Sequence, residues 1–385
     1  MENNSKVMPV SVPPTVSNVQ KIPKDEKERE KEKEREKDKE NEKARCHNKK
    51  MQEKDLPHFK TRGETVVETQ KHTYEIRSEL GQGSFGAVYA VTRLSDRKHF
   101  AMKCESVNMK RAILPHEASV LLALGILKSP HFLEMIDHGI VVNRFLFVVL
   151  KLVGPNLWDV RVRLPERRYT VSTALKLAEQ TLAGLRDLHR VGFLHRDIKP
   201  PNFAIGREED DTFHTIYVLD FGLCRKIAFK GVDIRTPRKE CAFRGTTRYA
   251  SMAAHDNKEQ SRKDDIESWW YMAAEFLVDL PWKQFRGNDR ENVRKAKHRL
   301  RVDTDCFKFM FRKICFDQMS AILHYLDSLE YTSIPDYDFV FHHLQNAALV
   351  NNVPLNGPVD WDPKKDYNGP RYKTGECYIV KALLE

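Results

Sequence analysis

The sequence lacks any long hydrophobic segment. No uninterrupted apolar run in its 385 residues exceeds six residues, as in Phe145–Leu150, whereas a membrane-spanning helix needs roughly 20. No apolar stretch follows the first methionine, as a secretory signal would require. We therefore expect no membrane partner, and a protein that acts in the cytoplasm or in both cytoplasm and nucleus.

Paired cysteines are also missing. The seven cysteines are an odd number and include no C-x-x-C pair, which argues against both a disulfide framework and a zinc site. A reducing compartment fits this pattern best.

No concentrated basic region explains the formal net charge of +10. Residues 1–60 hold 16 Lys/Arg and 13 Asp/Glu, and the other 325 residues hold 49 and 42. The excess of positive charge is distributed over the whole sequence, and no nucleic-acid motif accompanies it. We expect no specific nucleic-acid partner, although the mild positive charge permits an acidic or phosphorylated protein partner.

One segment near the start of the sequence has almost no apolar residues to bury. Between Lys24 and Arg45, 20 of 22 residues are charged. Their alternating signs place like charges at i,i+4, which disfavours an isolated helix. We interpret residues 1–58 as a disordered tail, with a marginal helix or a docking segment for an acidic surface as alternatives.

From residue 74 the sequence consists of short apolar runs. Their order predicts three strands, a helix at Ile113–Leu124 and two more strands, and amphipathic helices dominate after residue 155. This pattern predicts an α+β fold with a small β-rich lobe at about 74–153 and a larger, mostly helical lobe at about 154–350. Residues 351–385 would form a C-terminal extension.

A glycine-rich segment, Gly81-x-Gly83-x-x-Gly86, joins the first two of these strands. Glycines there let backbone amides approach phosphate oxygens. The flanking strands disfavour a dinucleotide-binding fingerprint, and no Lys-Ser/Thr follows as in a Walker loop. Alone the motif is weak, because glycine-rich hairpins are common.

Lys103 stands between apolar neighbours on the third predicted strand. If it points inward it needs a carboxylate, and Glu117 in the next helix is the candidate. Taken alone, Lys103 could equally be a surface lysine on an edge strand, and Glu117 a solvated helix residue.

Two further motifs carry chemistry: H-R-D-I-K-P-P-N at residues 195–202 and D-F-G at residues 220–222. Phosphoryl transfer needs an aspartate near the substrate hydroxyl, a lysine to balance charge and oxygen ligands for Mg²⁺. The residues that would supply these groups are Asp197, Lys199, Asn202 and Asp220.

With these motifs, residues from about 74 to 350 resemble a eukaryotic protein kinase, specifically of the casein kinase 1 superfamily and closest to its tau-tubulin kinase branch. G-T-T-R-Y-A-S at 245–251 resembles the activation segment of that superfamily, and E-Q-S-R-K-D-D-I-E-S at 259–268 resembles the start of its central helix. Phe193-Leu194 and residues 201–204, on either side of the catalytic loop, point to the tau-tubulin kinase branch.

The resemblance implies a monomeric serine/threonine protein kinase that uses ATP and Mg²⁺ on acidic, phosphorylated or cytoskeletal protein substrates. Asp197 and Lys199 would be catalytic, and Asn202 and Asp220 would bind the metal. ATP would contact the glycine-rich loop, the lysine–glutamate pair, the gatekeeper and the hinge: Gly81, Gln82, Gly83, Ser84, Phe85, Gly86, Val88, Lys103, Glu117, Leu150, Lys151 and Val153.

Two rival classes remain open. A pseudokinase scaffold would bind partners without turnover, but Lys103, Asp197 and Asp220 are all present. A small-molecule phosphotransferase of kinase-like fold would lack the protein-docking activation segment that residues 245–251 resemble. Tyrosine specificity is disfavoured, because Lys199 matches the serine/threonine version of the catalytic loop.

The resemblance also implies a basic pocket for a phosphate already present on the substrate. Arg196 and Arg248 would form it, with Lys295 or Lys297 as further contributors, since arginine pairs bidentately with phosphate oxygens. The alternative for Arg248 is that it satisfies local backbone carbonyls.

Three other positions carry expectations. Thr236 is the sole hydroxyl residue between Gly222 and Gly245, so it is the candidate for a regulatory phosphosite. Cys224 is interpreted as a buried, inert thiol. Residues 269–271, Trp-Trp-Tyr, are expected in the core and not at a ligand site.

Overall fold

The computed structural model describes residues 66–83, 86–109, 112–142, 144–227, 234–312 and 314–376. The predicted tail at residues 1–58 lies outside this part of the chain, as do Ser84 and Phe85. The α+β, two-lobed fold predicted from the sequence is confirmed.

The N-terminal lobe is a six-stranded antiparallel sheet in the spatial order β1-β2-β3-β4-β6-β5. The predicted strand and helix order is correct, and β1 is an additional strand that the apolar pattern does not predict. The elements are β1 (Val66–Glu68), β2 (Thr73–Gly83), β3 (Gly86–Arg93), β4 (His99–Ser106), α1 (Leu114–Gly125), β5 (Met135–Val141) and β6 (Phe145–Lys151).

Alternating burial along these strands forms the core of the small lobe. Along β3 every second residue is buried over the first six positions, as expected for a sheet with one covered face. Tyr74, Val91, Met102, Phe145 and Val149 are completely buried and form one apolar cluster.

The C-terminal lobe is mostly helical. Its helices are α2 (Leu157–Arg163), α3 (Val171–Arg190), α4 (Met252–His255), α5 (Arg262–Leu277), α6 (Arg290–Val302), α7 (Thr304–Phe311), α8 (Phe316–Ser328) and α9 (Tyr337–Val350). Short strands β7 (Phe193–Leu194) and β8 (Phe203–Ile205) pair with β10 (Arg225–Lys226) and β9 (Ile216–Val218), respectively. No helix in the described part of the chain has both the length and the apolar character needed to span a bilayer.

Helices α3 and α5 form the centre of this lobe. Thr170 caps α3 by accepting a hydrogen bond from the Thr173 amide, and Ser261 with Asp264 forms a capping box at the start of α5. Residues 269–271 of α5 are completely buried in the apolar core. The prediction that these three aromatic residues belong to the core is therefore confirmed.

Residues 351–376, which we call the C-terminal segment, pack back along α3. Arg371 Nε donates to Glu179 Oε1 at 2.8 Å. Glu376 at the far end of the segment contacts Arg186 at 3.2 Å and Arg190 at 3.0 Å. These ion pairs make the segment part of the surface of the large lobe.

Candidate active site

The glycine-rich loop joins β2 and β3, where Gly83 pairs with Gly86 in the antiparallel register. A Cβ atom at Gly86 would lie 2.0 Å from the Cys104 carbonyl oxygen. Glycine is thus required at position 86 by the close approach of β4. Gly81, Gln82 and Gly83 are exposed at this end of the β2–β3 pair.

Lys103 on β4 and Glu117 on α1 form the ion pair that the sequence suggests, with 2.5 Å between Nζ and Oε2. Lys103 Nζ also lies 3.5 Å from Asp220 Oδ1. Burial opposes a charge on the lysine, but the carboxylates of Glu117 and Asp220 outweigh it and raise the pKa of Lys103 above its ordinary value. The side chain is therefore a fixed cation that can face phosphate oxygens.

A second contact, which the sequence analysis does not predict, fixes helix α1. Glu105, also on β4 and buried, accepts hydrogen bonds from the amides of Ile113 at 2.9 Å and Leu114 at 2.6 Å. These amides at the helix N-terminus have no partner within the helix. Glu105 thus caps α1 from the neighbouring strand, one turn before Glu117.

The catalytic-loop aspartate is held by groups from three positions. Thr246 Oγ1 donates to Asp197 Oδ1 at 2.8 Å, and Lys199 Nζ donates to Asp197 Oδ2 at 2.6 Å. Asn202 Nδ2 donates to the Asp197 carbonyl at 2.8 Å. Asp197 is 7% exposed, and the donors on its two carboxylate oxygens fix the orientation of the side chain. Thr246 is a contact that the sequence analysis misses.

The backbone of the loop is anchored to the core by Asp265 of α5. Its carboxylate accepts from the amides of His195 at 2.6 Å and Arg196 at 2.8 Å, and from His189 Nε2 at 2.9 Å. Arg196 adopts a left-handed backbone with φ of 65°, which costs free energy for a residue other than glycine. The two hydrogen bonds from Asp265 offset that cost.

Oxygen donors suited to Mg²⁺ lie beside this loop. The Asp220 carboxylate is half-exposed. Partial desolvation would raise its pKa, but Lys103, with His195 and Lys199, holds the pKa below the usual value. Asn202 lies next to it in the fold, since its carbonyl accepts from the Leu219 amide. Among the described residues no three His, Cys, Asp or Glu side chains cluster as metal ligands.

The predicted hinge residues lie at and just after the end of β6. Leu150 pairs with Ala101 in the register of β4 and β6 and packs against the main core. The Lys151 side chain turns toward Asp210, 4.0 Å away, and toward the Tyr217 ring. A nucleotide contact through the backbone groups of Lys151 and the half-buried Val153 stays a prediction.

Three arginines gather on the other side of the loop. Burial, together with the charges of Arg244 and Arg225, lowers the pKa of Arg196 to about 10. Arg225 is paired with the buried Glu259 at 2.9 Å, whereas no carboxylate in the described part of the chain forms an ion pair with Arg196. An anion placed among these arginines would therefore relieve their repulsion.

Arg248 lies in a different environment from Arg196. Its Nη1 donates to Glu275 Oε1 at 2.9 Å and its Nη2 donates to the Lys283 carbonyl at 3.1 Å. The guanidinium therefore has partners within the protein: one is a backbone carbonyl, as in the alternative that the sequence leaves open, and the other is a carboxylate that the sequence does not predict.

Lys297 cannot line a phosphate pocket, and that expectation is wrong. The side chain is completely buried and donates to the carbonyls of Ala250 at 2.6 Å and Thr247 at 3.1 Å. It fills a core position of α6 and ties the activation segment to that helix. Lys295 is exposed and lies 3.8 Å from Glu291.

Two other expectations concern the activation segment. Cys224 is buried, and burial raises the pKa of its thiol well above the ordinary value, so the buried part of the interpretation is confirmed. Thr236 is exposed, and its role as a phosphosite remains a prediction.

Residues 74–326, about two thirds of the chain, match the family described as the protein kinase domain. The chain therefore belongs to the protein kinase family. The serine/threonine-protein kinase spe-6 of Caenorhabditis elegans is 34% identical over 302 residues, which cover 77% of this chain and 78% of that protein. A probable serine/threonine-protein kinase of Dictyostelium discoideum is 31% identical over 293 residues, or 76% of this chain and 57% of that protein.

The family and these relatives define the class of enzyme. The chain is a protein serine/threonine kinase. A protein kinase domain implies protein substrates and the use of ATP, typically with Mg²⁺.

Proposed function

We propose that this kinase is a member of the casein kinase 1 superfamily, closest to its tau-tubulin kinase branch, and phosphorylates Ser or Thr in acidic or pre-phosphorylated protein substrates. The observation that carries the substrate preference is Arg196, which adjoins Asp197 in the catalytic loop, forms no ion pair with a described carboxylate and lies within electrostatic range of Arg225 and Arg244. Buried or half-buried arginines close to one another favour a bound anion, and phosphate suits their planar, bidentate geometry.

The residues of the cleft support the chemistry of this proposal. Asp197, oriented by Thr246 and Lys199, would accept the proton of the substrate hydroxyl. Lys199 would balance charge on the transferred group, and Lys103 would hold the phosphates of ATP. Asn202 and Asp220 would hold Mg²⁺, which supplies charge neutralisation between the phosphates when it is bound.

The central experiment is transfer of radiolabel from ATP to casein and to tubulin-derived peptides, with Asp197→Asn as the inactive control. We expect turnover by the unmodified chain and a loss of at least about a hundredfold in the variant. Binding of these substrates without turnover by the unmodified chain would instead support the pseudokinase scaffold.

The substrate preference is tested with one peptide in three forms, which carry phosphoserine, Asp or Ala a few residues N-terminal to the acceptor. We expect kcat/KM to fall in that order, and Arg244→Gln to reduce the advantage of the phosphorylated peptide by about tenfold. Arg299→Gln, an exposed arginine on α6, is the matched control. Equal loss on all three peptides would show that Arg244 shapes the site and does not recognise the anion.

A further inference from the structure

A cavity of about 320 Å³ opens directly beside the catalytic loop. Lys199 and Thr246 form its inner end, and both side chains contact the carboxylate of Asp197. The cavity is thus continuous with the position of the acceptor hydroxyl. Its volume lies at the lower end of the range of about 300–1,000 Å³ that is usual for ligand sites.

The walls of this cavity are mainly apolar. Trp158 of α2 and Phe285, which are far apart in the sequence, both line the cavity. The buried side chains of Trp282 and Val293 line it as well. Trp158 is 37% exposed, so part of its ring can be reached by a ligand in the cavity.

Two polar side chains of the wall already have partners within the protein. Thr247 Oγ1 donates to the Gly287 carbonyl at 2.7 Å, and Trp282 Nε1 donates to the Arg248 carbonyl at 2.9 Å. Because these groups are satisfied within the protein, an apolar occupant would leave none of them unpaired.

Arg248, one of three cationic side chains that line the cavity, is paired with a buried carboxylate. Glu275 is 3% exposed, accepts from Arg248 at 2.9 Å and also accepts from the Tyr249 hydroxyl at 2.5 Å. A phosphate that bound Arg248 would have to displace this carboxylate or lie close to it. Either alternative costs free energy, because it leaves buried like charges together or an unpaired buried charge.

We propose that this cavity is a specificity subsite for a large apolar side chain, such as Phe or Leu, located within a few residues of the acceptor in the protein substrate. The proposal deepens and depends on the proposed kinase function. Lys199 and the exposed Arg286 at the cavity suit acidic residues that flank the apolar side chain. The substrate class is therefore an acidic segment with one large apolar anchor beside the hydroxyl.

The first test scans one acidic peptide, with Phe, Leu, Ala or phosphoserine placed in turn at each position from four residues before to four residues after the acceptor. We expect Phe and Leu to raise kcat/KM about tenfold or more over Ala, chiefly through KM, at one or two neighbouring positions. Absence of such a position, with turnover intact, would overturn the inference and leave the kinase function standing.

Variants then locate the effect. Trp158→Ala should remove the advantage of the Phe peptide and leave kinetics on the Ala peptide nearly unchanged. Gly287→Leu should do the same by obstructing the cavity, and it is structurally mild because a Cβ at Gly287 meets no atom within 4 Å. The matched control is Val162→Ala, an exposed residue one turn along α2 from Trp158, which should keep the full Phe preference.

A binding measurement separates this inference from the proposed function. Fluorescence anisotropy of labelled Phe and Ala peptides with Asp197→Asn protein reports affinity without turnover. Tighter binding of the Phe peptide, lost in Trp158→Ala, supports the subsite even if no peptide is phosphorylated. Equal affinities, or a Trp158-dependent preference for phosphoserine over Phe at the anchor position, would overturn it.

Discussion

Lys103 and Glu105 leave the same side of strand β4 and hold helix α1 at two points. Lys103 pairs with Glu117 in the first turn of the helix, and Glu105 binds the amides at the helix N-terminus. The positive end of the helix dipole favours a carboxylate there. Strand β4 thus fixes the position of the catalytic lysine relative to α1 through two separate contacts.

Glu105→Gln should lower kcat about tenfold or more, because charge-assisted hydrogen bonds of roughly 1.5–3 kcal/mol are lost at the helix end that positions Glu117. Hydrogen exchange of the amides at residues 113–125 should increase in parallel. The control is Glu166→Gln, at an exposed glutamate, which should change neither. Wild-type kcat together with faster exchange would show that the helix can loosen without affecting the site.

Lys103→Met and Asp220→Asn should each reduce phosphoryl transfer at least about a hundredfold, because both residues act on phosphates and metal. Neither belongs to the apolar clusters of the core, so thermal unfolding should change little. Lys98→Met, at an exposed lysine just before β4, should be active. The assigned roles fail if either variant keeps more than about a tenth of the activity.

The stability of the protein should fall as the pH drops below about 6.5, with His255 as one cause. Burial, with the nearby charges of Lys297, Arg290 and Arg294, lowers the pKa of His255 from 6.5 to about 3. The unfolded chain therefore binds a proton that the folded chain does not between these pH values. The contribution of His255 to the free energy of unfolding is therefore fully present above pH 6.5. It falls by about 1.4 kcal/mol per pH unit as the pH drops toward 3.

Chemical unfolding of the wild type and of His255→Gln at several pH values from 7 to 4.5 measures this contribution. We expect the variant to lose less free energy of unfolding on acidification, although it is less stable at pH 7. His298→Gln, at an exposed histidine of the neighbouring α6, is the comparison and should keep the wild-type slope. Identical slopes in all three proteins would remove His255 from the explanation.

The sequence predicts helices and strands well where the apolar periodicity is strong. It does not predict them where most residues of the element are charged. The helix predicted at Ile113–Leu124 is observed as α1 at Leu114–Gly125, and the order of the predicted strands of the small lobe is correct. Helix α6, Arg290–Val302, is missed because so many of its residues are charged, and one of its buried positions is a lysine, Lys297.

The site shows the same division. Short-range motifs identify Asp197, Lys103 and Asp220, which the fold brings into one cleft. The partner of Arg248 is Glu275, 27 residues away, and no local pattern indicates which glutamate will face an arginine at that distance. Contacts of this kind depend on how α5 packs, which a motif does not encode.

Removal of the chain after residue 350 should destabilise the kinase. Glu179, Arg186 and Arg190 would lose the ion pairs made by Arg371 and Glu376, and the Tyr372 ring would no longer stack on Phe341. We expect the melting temperature to fall by about 5 °C or more. A chain that ends at residue 376 is the control and should melt like the full chain; equal melting of the shorter form would show that the C-terminal segment adds no stability.

Deletion of residues 1–58 should leave kcat/KM on a short peptide nearly unchanged. The deleted part carries no catalytic motif and few apolar residues with which to dock on the lobes. Steady-state kinetics on a peptide and on a protein substrate should be measured side by side. A loss confined to the protein substrate would identify a docking segment, and a loss on both would contradict the prediction.

Asp265 gives the catalytic loop a link to the far end of the fold. Its carboxylate binds the loop amides and His189, and His189 Nδ1 lies 2.6 Å from the Tyr337 hydroxyl at the start of α9. The next residue of α9, Asp338, accepts a hydrogen bond from the Tyr372 hydroxyl of the C-terminal segment. The catalytic loop and the end of the described chain are thus connected by a series of hydrogen bonds, with the covalent link from Tyr337 to Asp338 as one step of the series.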